Sequence, residues 1–408
     1  MQICRLIFLA IISVTAASGC PAQAQQRYCT DGNARILRVE LYPFVPGADA
    51  IALKIKNLFE DGCPGLDLRI HLNPNYYSPD NSGILAADAD VYEVDSVFFD
   101  DFLKHRNPRP PSQSIVDAAG PAVPFAKDIA TFNGTQFGVP HWICTDFLIF
   151  DKAFPRIGAI KGPTDAAQVF AALGKGPLMD LKGSTTLGEL YLSILVAHYG
   201  SAGEALKRLD SEGPDDYALG VLRTFTSMEP PGFGRNKKYH QREGFYPRQF
   251  ARKSASAYVG YSEDTYYALD ETARSCLLDQ CLGQNDLDVA LWPFADEGAK
   301  PVAWVDMYMM DARLTDAKLR DAEAFIKFMM SVSTYEALLL PPSSDEGVPK
   351  YLLPARDDVY SDPPMAAAPL YAKFRTLIGP AIPITQEGLN FKLHKISAIL
   401  EQALPMSH

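Results

Sequence analysis

The chain has 408 residues and a formal net charge of −11, with 47% hydrophobic, 21% charged and 11% aromatic residues. Such a length exceeds one ordinary core and points to two or three domains, and the composition excludes collagen-like, coiled-coil and wholly disordered chains. The acidic balance argues against nucleic acid as a partner, which needs a basic face, and suits a neutral or cationic small ligand.

Residues 1–24 read as an export signal. Arg5 supplies a positive start, Leu6 to Ala17 is an apolar run too short to span a bilayer, and Ala22-Gln23-Ala24 has the pattern of a cleavage site. Ala17-Ser18-Gly19-Cys20 offers the alternative of a lipoprotein signal, with Cys20 lipidated. No later apolar run is long enough for a membrane span. The sequence therefore predicts a secreted or periplasmic protein. Of its seven cysteines, cleavage removes Cys4 and Cys20. In an oxidising compartment, Cys29 with Cys63 and Cys276 with Cys281 make suitable disulfides, which leaves Cys144 as a free thiol. A free cysteine is commonly a buried small hydrophobe, and that reading of Cys144 stays open at this point.

Arg35 to Tyr42 has the alternation of a strand, and Ala48 to Phe59 has the apolar spacing of a helix. Leu66 to Leu72 and Ala89 to Val94 are further strands, the latter with Asp90 and Asp95 at its ends. This β-α-β-β opening predicts an α/β domain with a largely parallel sheet. Strands are expected at Thr135 to Val139 and Asp146 to Phe150, with a bend from Pro140 to Thr145 between them. Helices follow over Asp165 to Leu173, Leu187 to Tyr199, Ala202 to Leu209 and Tyr217 to Phe225, then a loop over Met228 to Gly244. Short strands return at Ala257 to Tyr261, Asp288 to Phe294 and Val302 to Met309. Thr315 is placed to cap one long helix reaching about Ser333, and Asn390 to Leu404 forms the last helix. The order predicts an α/β fold of two lobes joined by several chain crossings. Residues 30–143 with 302–343 form one lobe, 144–301 with 344–408 the other, and a ligand cleft lies between them.

Phosphate-binding glycine loops, a nucleophile elbow and paired metal-ligand histidines are all missing from the sequence, and no cofactor or metal is expected. His141, three residues before Cys144, could serve a Cys-His pair or be a polar residue beside a cleft. Three strand-end segments carry possible chemistry: Phe137-Gly138-Val139-Pro140-His141-Trp142-Ile143-Cys144-Thr145-Asp146, Ala257-Tyr258-Val259-Gly260-Tyr261-Ser262-Glu263, and Val302-Ala303-Trp304-Val305-Asp306. Strand ends face the cleft in α/β proteins. Taken singly, Glu263 could cap the next helix and Asp306 could be a surface turn residue.

Together with Tyr42-Pro43-Phe44-Val45-Pro46, Asp90 to Phe98 and Tyr351-Leu352-Leu353-Pro354-Ala355-Arg356, these segments resemble thiaminase I (thiamine pyridinylase) over most of the mature chain. The resemblance implies the two-lobed fold of type 2 periplasmic solute-binding proteins. It implies Cys144 as a nucleophile that adds to the pyrimidine of thiamine, with Glu263 as its general base. The thiazole then leaves, and an amine, pyridine or thiol takes its place. It implies that Asp306 contacts the aminopyrimidine and that Tyr42, Tyr261 and Tyr246 line the cleft, with Asp90 and Asp95 as further binding residues. Trp304 stands where the family has a tyrosine, and Asp146 where it has a neutral amide. Thiamine and a small nucleophile are the implied partners, to a monomer without a cofactor. A thiol is mostly protonated at neutral pH, so it needs a base within reach, and a carboxylate serves only where desolvation raises its pKa. The competing reading is a solute-binding protein for thiamine or another cationic heterocycle, which would need neither Cys144 nor Glu263. A third is an enzyme of this fold acting on another heteroaromatic compound.

Overall fold

The computed structural model describes residues 28–29, 34–78, 83–183, 185–231, 233, 240, 242–270, 281–296, 300–342 and 347–404. The expected export signal, Cys276 and, within the expected loop Met228 to Gly244, residues 232, 234–239 and 241 lie outside the described residues. The strands in chain order are β1 (Arg35–Leu41), β2 (Leu66–Leu72), β3 (Val91–Asp95), β4 (Thr131–Phe132), β5 (Thr135–Gln136), β6 (Val139–Cys144) and β7 (Phe147–Asp151). Then come β8 (Pro177–Met179), β9 (Ala257–Gly260), β10 (Leu287–Leu291), β11 (Val302–Met310), β12 (Leu353–Pro354) and β13 (Ile382–Pro383).

The large sheet has strand order β12-β6-β11-β3-β1-β2, with β13 on β11. β1 runs parallel to β2 and β3, while β11 is antiparallel to both β3 and β6. Its central strands are buried on both faces: every residue of β3 and β11 is buried, including Glu93, Asp95 and Asp306. The helix Ala48–Gly62 crosses from β1 to β2 and buries Ile55 and Phe59, and the helix Asp316–Met329 buries Phe325 and Ile326. Cys29 is disulfide-bonded to Cys63, as the sequence predicts. Closing a loop of 34 residues stabilises the folded chain by about 4 kcal/mol in the chain-entropy account. Cys281 is also disulfide-bonded.

The second sheet has order β10-β7-β9-β8. It is packed by the helices Phe245–Ala251, on β8 and β9, and Tyr371–Ile378, on β10, while the helix Thr186–Tyr199, buried from Leu187 to Val196 except at Glu189, packs on neighbouring helices. The chain passes from the large sheet to the second between Cys144 and Phe147, and returns between Leu291 and Val302. This is the two-lobed α/β arrangement that the sequence predicts.

Three expectations are corrected. Residues 344–408 do not fall wholly in the second lobe, because β12 and β13 pair with the large sheet. Their last helix, Leu389–Ala403, does lie against the helix Thr186–Tyr199, where Gly188 leaves room for the Leu393 carbonyl. Second, the expected strand from Thr135 and the expected bend at Pro140 are displaced. The tight Asn133-Gly134 turn, both residues at positive φ, closes the hairpin β4–β5, and β6 runs straight through Pro140. A register shift at Asp306 and Met307 accommodates the proline there, which cannot donate to the ladder. Third, the long helix is two, Asp316–Met329 and Val332–Leu339. Thr315 makes no capping bond, whereas the Ser331 hydroxyl caps the second helix and separates the pair.

Candidate active site

The two sheets face each other across a cleft of about 1170 Å³. On the large sheet, Cys144 ends β6 opposite Trp304, and Asp306 lies opposite Asp95 at the end of β3. Alternate residues on a strand share a face, and so do cross-strand partners. Cys144, Trp304, Asp306 and Asp95 are therefore gathered on one wall, which Tyr42 completes just after β1. On the second lobe, β9 ends at Gly260, and the turn that follows delivers Tyr261 and Glu263 to the opposite wall. Asp264 holds that turn, accepting hydrogen bonds from the Tyr261 N–H at 3.0 Å and the Tyr258 hydroxyl at 2.7 Å. Gly260 must lack a side chain, since a Cβ would come within 2.2 Å of the Tyr258 oxygen. Glu263 makes no helix-capping bond, and Asp306 is buried within β11, so neither is a surface residue.

The cleft is strongly acidic, and its carboxyl groups are desolvated. Burial, together with Asp264, pushes Glu263 up to about 8. Burial, and then the neighbouring Asp264, pushes Asp146 up to about 7. The extra carboxyl beside the nucleophile is thus half-neutralised at neutral pH rather than a full negative charge. Asp306 is raised well above the ordinary carboxyl range by burial and by the charges of Asp95, Glu93 and Glu263. Asp95 is raised by burial, against the opposing bonds from the Tyr77 hydroxyl and the Val97 N–H. The Cys144 thiol is likewise pushed well up, first by burial and then by the charges of Glu263, Asp306, Asp95 and Glu189. Cys144 is half-buried and is the free cysteine among the described residues. It is a protonated thiol that opens onto a cleft lined by buried carboxyl groups.

Tyr246 lines the cleft as well, its hydroxyl donating to the Phe233 carbonyl at 3.1 Å. Asp90 does not join the cleft. It lies five residues before Asp95, roughly 16 Å along an extended strand. There it accepts from the Arg38 N–H at 2.9 Å and from Lys318 Nζ at 3.0 Å. Burial opposes its ionisation, but the bonds from Arg38 and Lys318 outweigh it and hold the carboxyl below its ordinary value. Asp90→Ala is accordingly expected to leave turnover unchanged and to lower unfolding free energy by about 1–3 kcal/mol, because the Arg38 N–H loses its acceptor. Urea denaturation beside steady-state kinetics checks both halves.

His141 does not pair with Cys144; its Nδ1 meets Glu93, two residues before Asp95 on β3 and outside the cleft lining. Sequence reasoning missed Glu189, Tyr77 and Glu93. Glu189 accepts from the Tyr261 hydroxyl at 2.5 Å and is raised to about 8 by burial. Its signal was a carboxylate inside an otherwise apolar helix. Tyr77 bridges Tyr42 and Asp95. Among the described residues no cluster of His, Cys, Asp and Glu is arranged to hold a metal ion, and no helix is long and apolar enough to cross a membrane.

No protein-family model matches the chain. The thiaminase-1 of Paenibacillus thiaminolyticus is 26% identical over 389 residues, covering 91% of this chain and 88% of that protein. Among solved structures, Clostridium botulinum thiaminase I in complex with thiamin superposes with a TM-score of 0.72 at 20% identity, over 90% of this chain and 99% of that one. The maltose-bound T. maritima MalE3 superposes at 0.66 with 14% identity, over 90% and 96% of the two chains. Over nine-tenths of its length the chain is similar in sequence to the thiaminase-1 of Paenibacillus thiaminolyticus, and its fold is that shared by thiaminase I and the maltose-binding proteins.

Proposed function

We propose that the protein is an exported thiamine pyridinylase that cleaves thiamine through a covalent bond to Cys144. The observation that carries this reading is a free thiol and a desolvated Glu263 on facing walls of one acidic cleft. The cationic thiazolium suits the surrounding carboxyl groups. Tyr42, Tyr261 and Trp304 present flat faces to a flat heterocycle, and an indole keeps the stacking of a tyrosine without its hydroxyl.

In this reading Glu263 takes the thiol proton, and the sulfur adds to the pyrimidine ring. The bond from the exocyclic methylene to the thiazolium nitrogen breaks, and the thiazole leaves neutral with the electron pair. Asp306, held toward its acid form, donates to a ring nitrogen as electron density builds there. The lone pair of an amine, pyridine or thiol then bonds to the methylene carbon. The carbon–sulfur bond breaks, and Glu263 returns its proton to Cys144, while a primary amine loses its own proton to solvent. Asp95 supports Asp306 from across the ladder, and Tyr246 closes the cleft.

The test is to mix the purified mature protein with thiamine, with and without pyridine or aniline, and separate the products. Free thiazole and a substituted pyrimidine are the expected result. Tight thiamine binding without product would overturn the reading in favour of a solute-binding protein.

A further inference from the structure

Deeper along the same face of the large sheet lies a buried glutamate–histidine pair that the mechanism above does not use. Glu93 and His141 are 3% and 1% exposed. In the ladder, Trp142 is opposite Asp306 and Pro140 is opposite Met307, which leaves His141 as the extra residue of a bulge. Bulges re-aim side chains, and this one brings the imidazole to Glu93, two strands away. One Glu93 oxygen meets His141 Nδ1; the other accepts the Tyr42 N–H at 3.0 Å. The same carboxylate thus grips the backbone of a cleft-wall residue and the strand that ends in Cys144. Tyr308 lies opposite Glu93 in the ladder, and its ring packs on His141 with centroids 4.6 Å apart.

We propose that Glu93, held by His141, is a positioning residue for thiamine cleavage, fixing Tyr42 and the Cys144 strand in register while placing a negative charge diagonally beside Asp306. The proposal rests on the thiaminase reading of the cleft. Burial lowers the His141 pKa against the pull of Glu93, so the imidazole is a neutral Nδ1–H donor. Its buried Nε2 has no partner, and an unpaired acceptor lone pair is tolerated better than an unpaired N–H. The groups facing Asp306 are Asp95 and Glu93 from β3, Cys144 from β6, Glu263 from the turn after β9, and the tyrosines Tyr42, Tyr76, Tyr77 and Tyr308. Of these, Glu93 is the charge that a substitution can remove without touching the cleft.

Wild-type turnover of thiamine with pyridine is measured first, and its absence would sink the thiaminase reading rather than this one. Glu93→Gln keeps the acceptor for the Tyr42 N–H but removes the charge. With Asp306 no longer held as strongly in its acid form, the alkaline limb of kcat/KM should move to lower pH by about half a unit or more, with KM nearly unchanged. Glu93→Ala releases Tyr42 as well, so KM should rise and kcat/KM fall roughly tenfold to a hundredfold, the scale of a small misplacement. His141→Asn, whose amide N–H reaches where Nδ1 did, should retain most activity, whereas His141→Leu should follow Glu93→Ala. A Glu93→Gln enzyme with the wild-type pH profile, altered only in melting temperature, would reduce Glu93 to a structural residue and overturn the proposal. So would equal losses in His141→Asn and His141→Leu. Should Glu93→Ala fail to fold, the Gln and Asn variants still decide.

Discussion

Cys144→Ser is expected to abolish thiamine cleavage, with kcat falling at least about a thousandfold. The hydroxyl of serine is far harder to ionise than a thiol, and this site already raises the thiol through burial and four surrounding carboxyl groups. Glu263 can draw a proton from sulfur here but not from an alcohol. Thiamine binding should survive within a few fold, because Tyr42, Trp304, Asp306 and Tyr261 remain in place. Product separation beside isothermal titration distinguishes the two effects. Intact-mass analysis of the wild type, quenched during turnover without acceptor, should show the pyrimidine adduct that the serine variant lacks. Unimpaired turnover by Cys144→Ser would remove the covalent mechanism.

Glu263→Gln should cost roughly 10²–10⁴ in kcat, the usual worth of a positioned general base. The pH dependence gives a sharper reading. The working form of Glu263 is the carboxylate, and its pKa is raised by burial and Asp264 to about 8. In the wild type, kcat/KM should therefore climb as pH rises through that value. In the glutamine variant the limb should disappear, leaving a low rate that is flat over the same range. Asp146, at about 7, is the neighbour that could be mistaken for it. Asp146→Asn should keep the limb near pH 8, which assigns the titration to Glu263. Stopped assays from about pH 6.5 to 9.5 (a range that spans about one and a half units either side of 8) check the set.

The lobes, the outer strands and the site's three strand-end segments were legible because each carries a local signal. Alternation marks β1 and β2, and an apolar run reaching a polar residue marks Cys144, Glu263 and Asp306, although Asp306 lies within β11 and Glu263 in the turn after β9. What stayed hidden depends on register. Asp90 and Asp95 look equivalent at the two ends of one short strand, but only Asp95 is laddered opposite Asp306, whereas Asp90 meets Arg38 and Lys318. The partner of His141 could not be read either, since Glu93 is 48 residues away and reaches it only because a bulge turns the imidazole aside. The small strands β12 and β13 have two residues each; no periodicity can announce an element that short. Yet β12 lies within the Tyr351 to Arg356 string and pairs with Ile143 and Trp142, beside the nucleophile.

Cys144 stands where the chain leaves one sheet for the other. The next residue, Thr145, donates its hydroxyl hydrogen bond at 2.6 Å to the Val302 carbonyl, where the chain has just returned. The two crossings are thus stitched together one residue from the sulfur. In any rotation of one lobe on the other, an atom travels in proportion to its distance from the axis. The sulfur sits one residue from that stitch, and Glu263 follows Gly260, which is laddered to Phe147 just past the crossing. Cys144 and Glu263 both lie close to the crossing, so a rotation of the lobes would change their spacing little while it moved the outer rims of the cleft most.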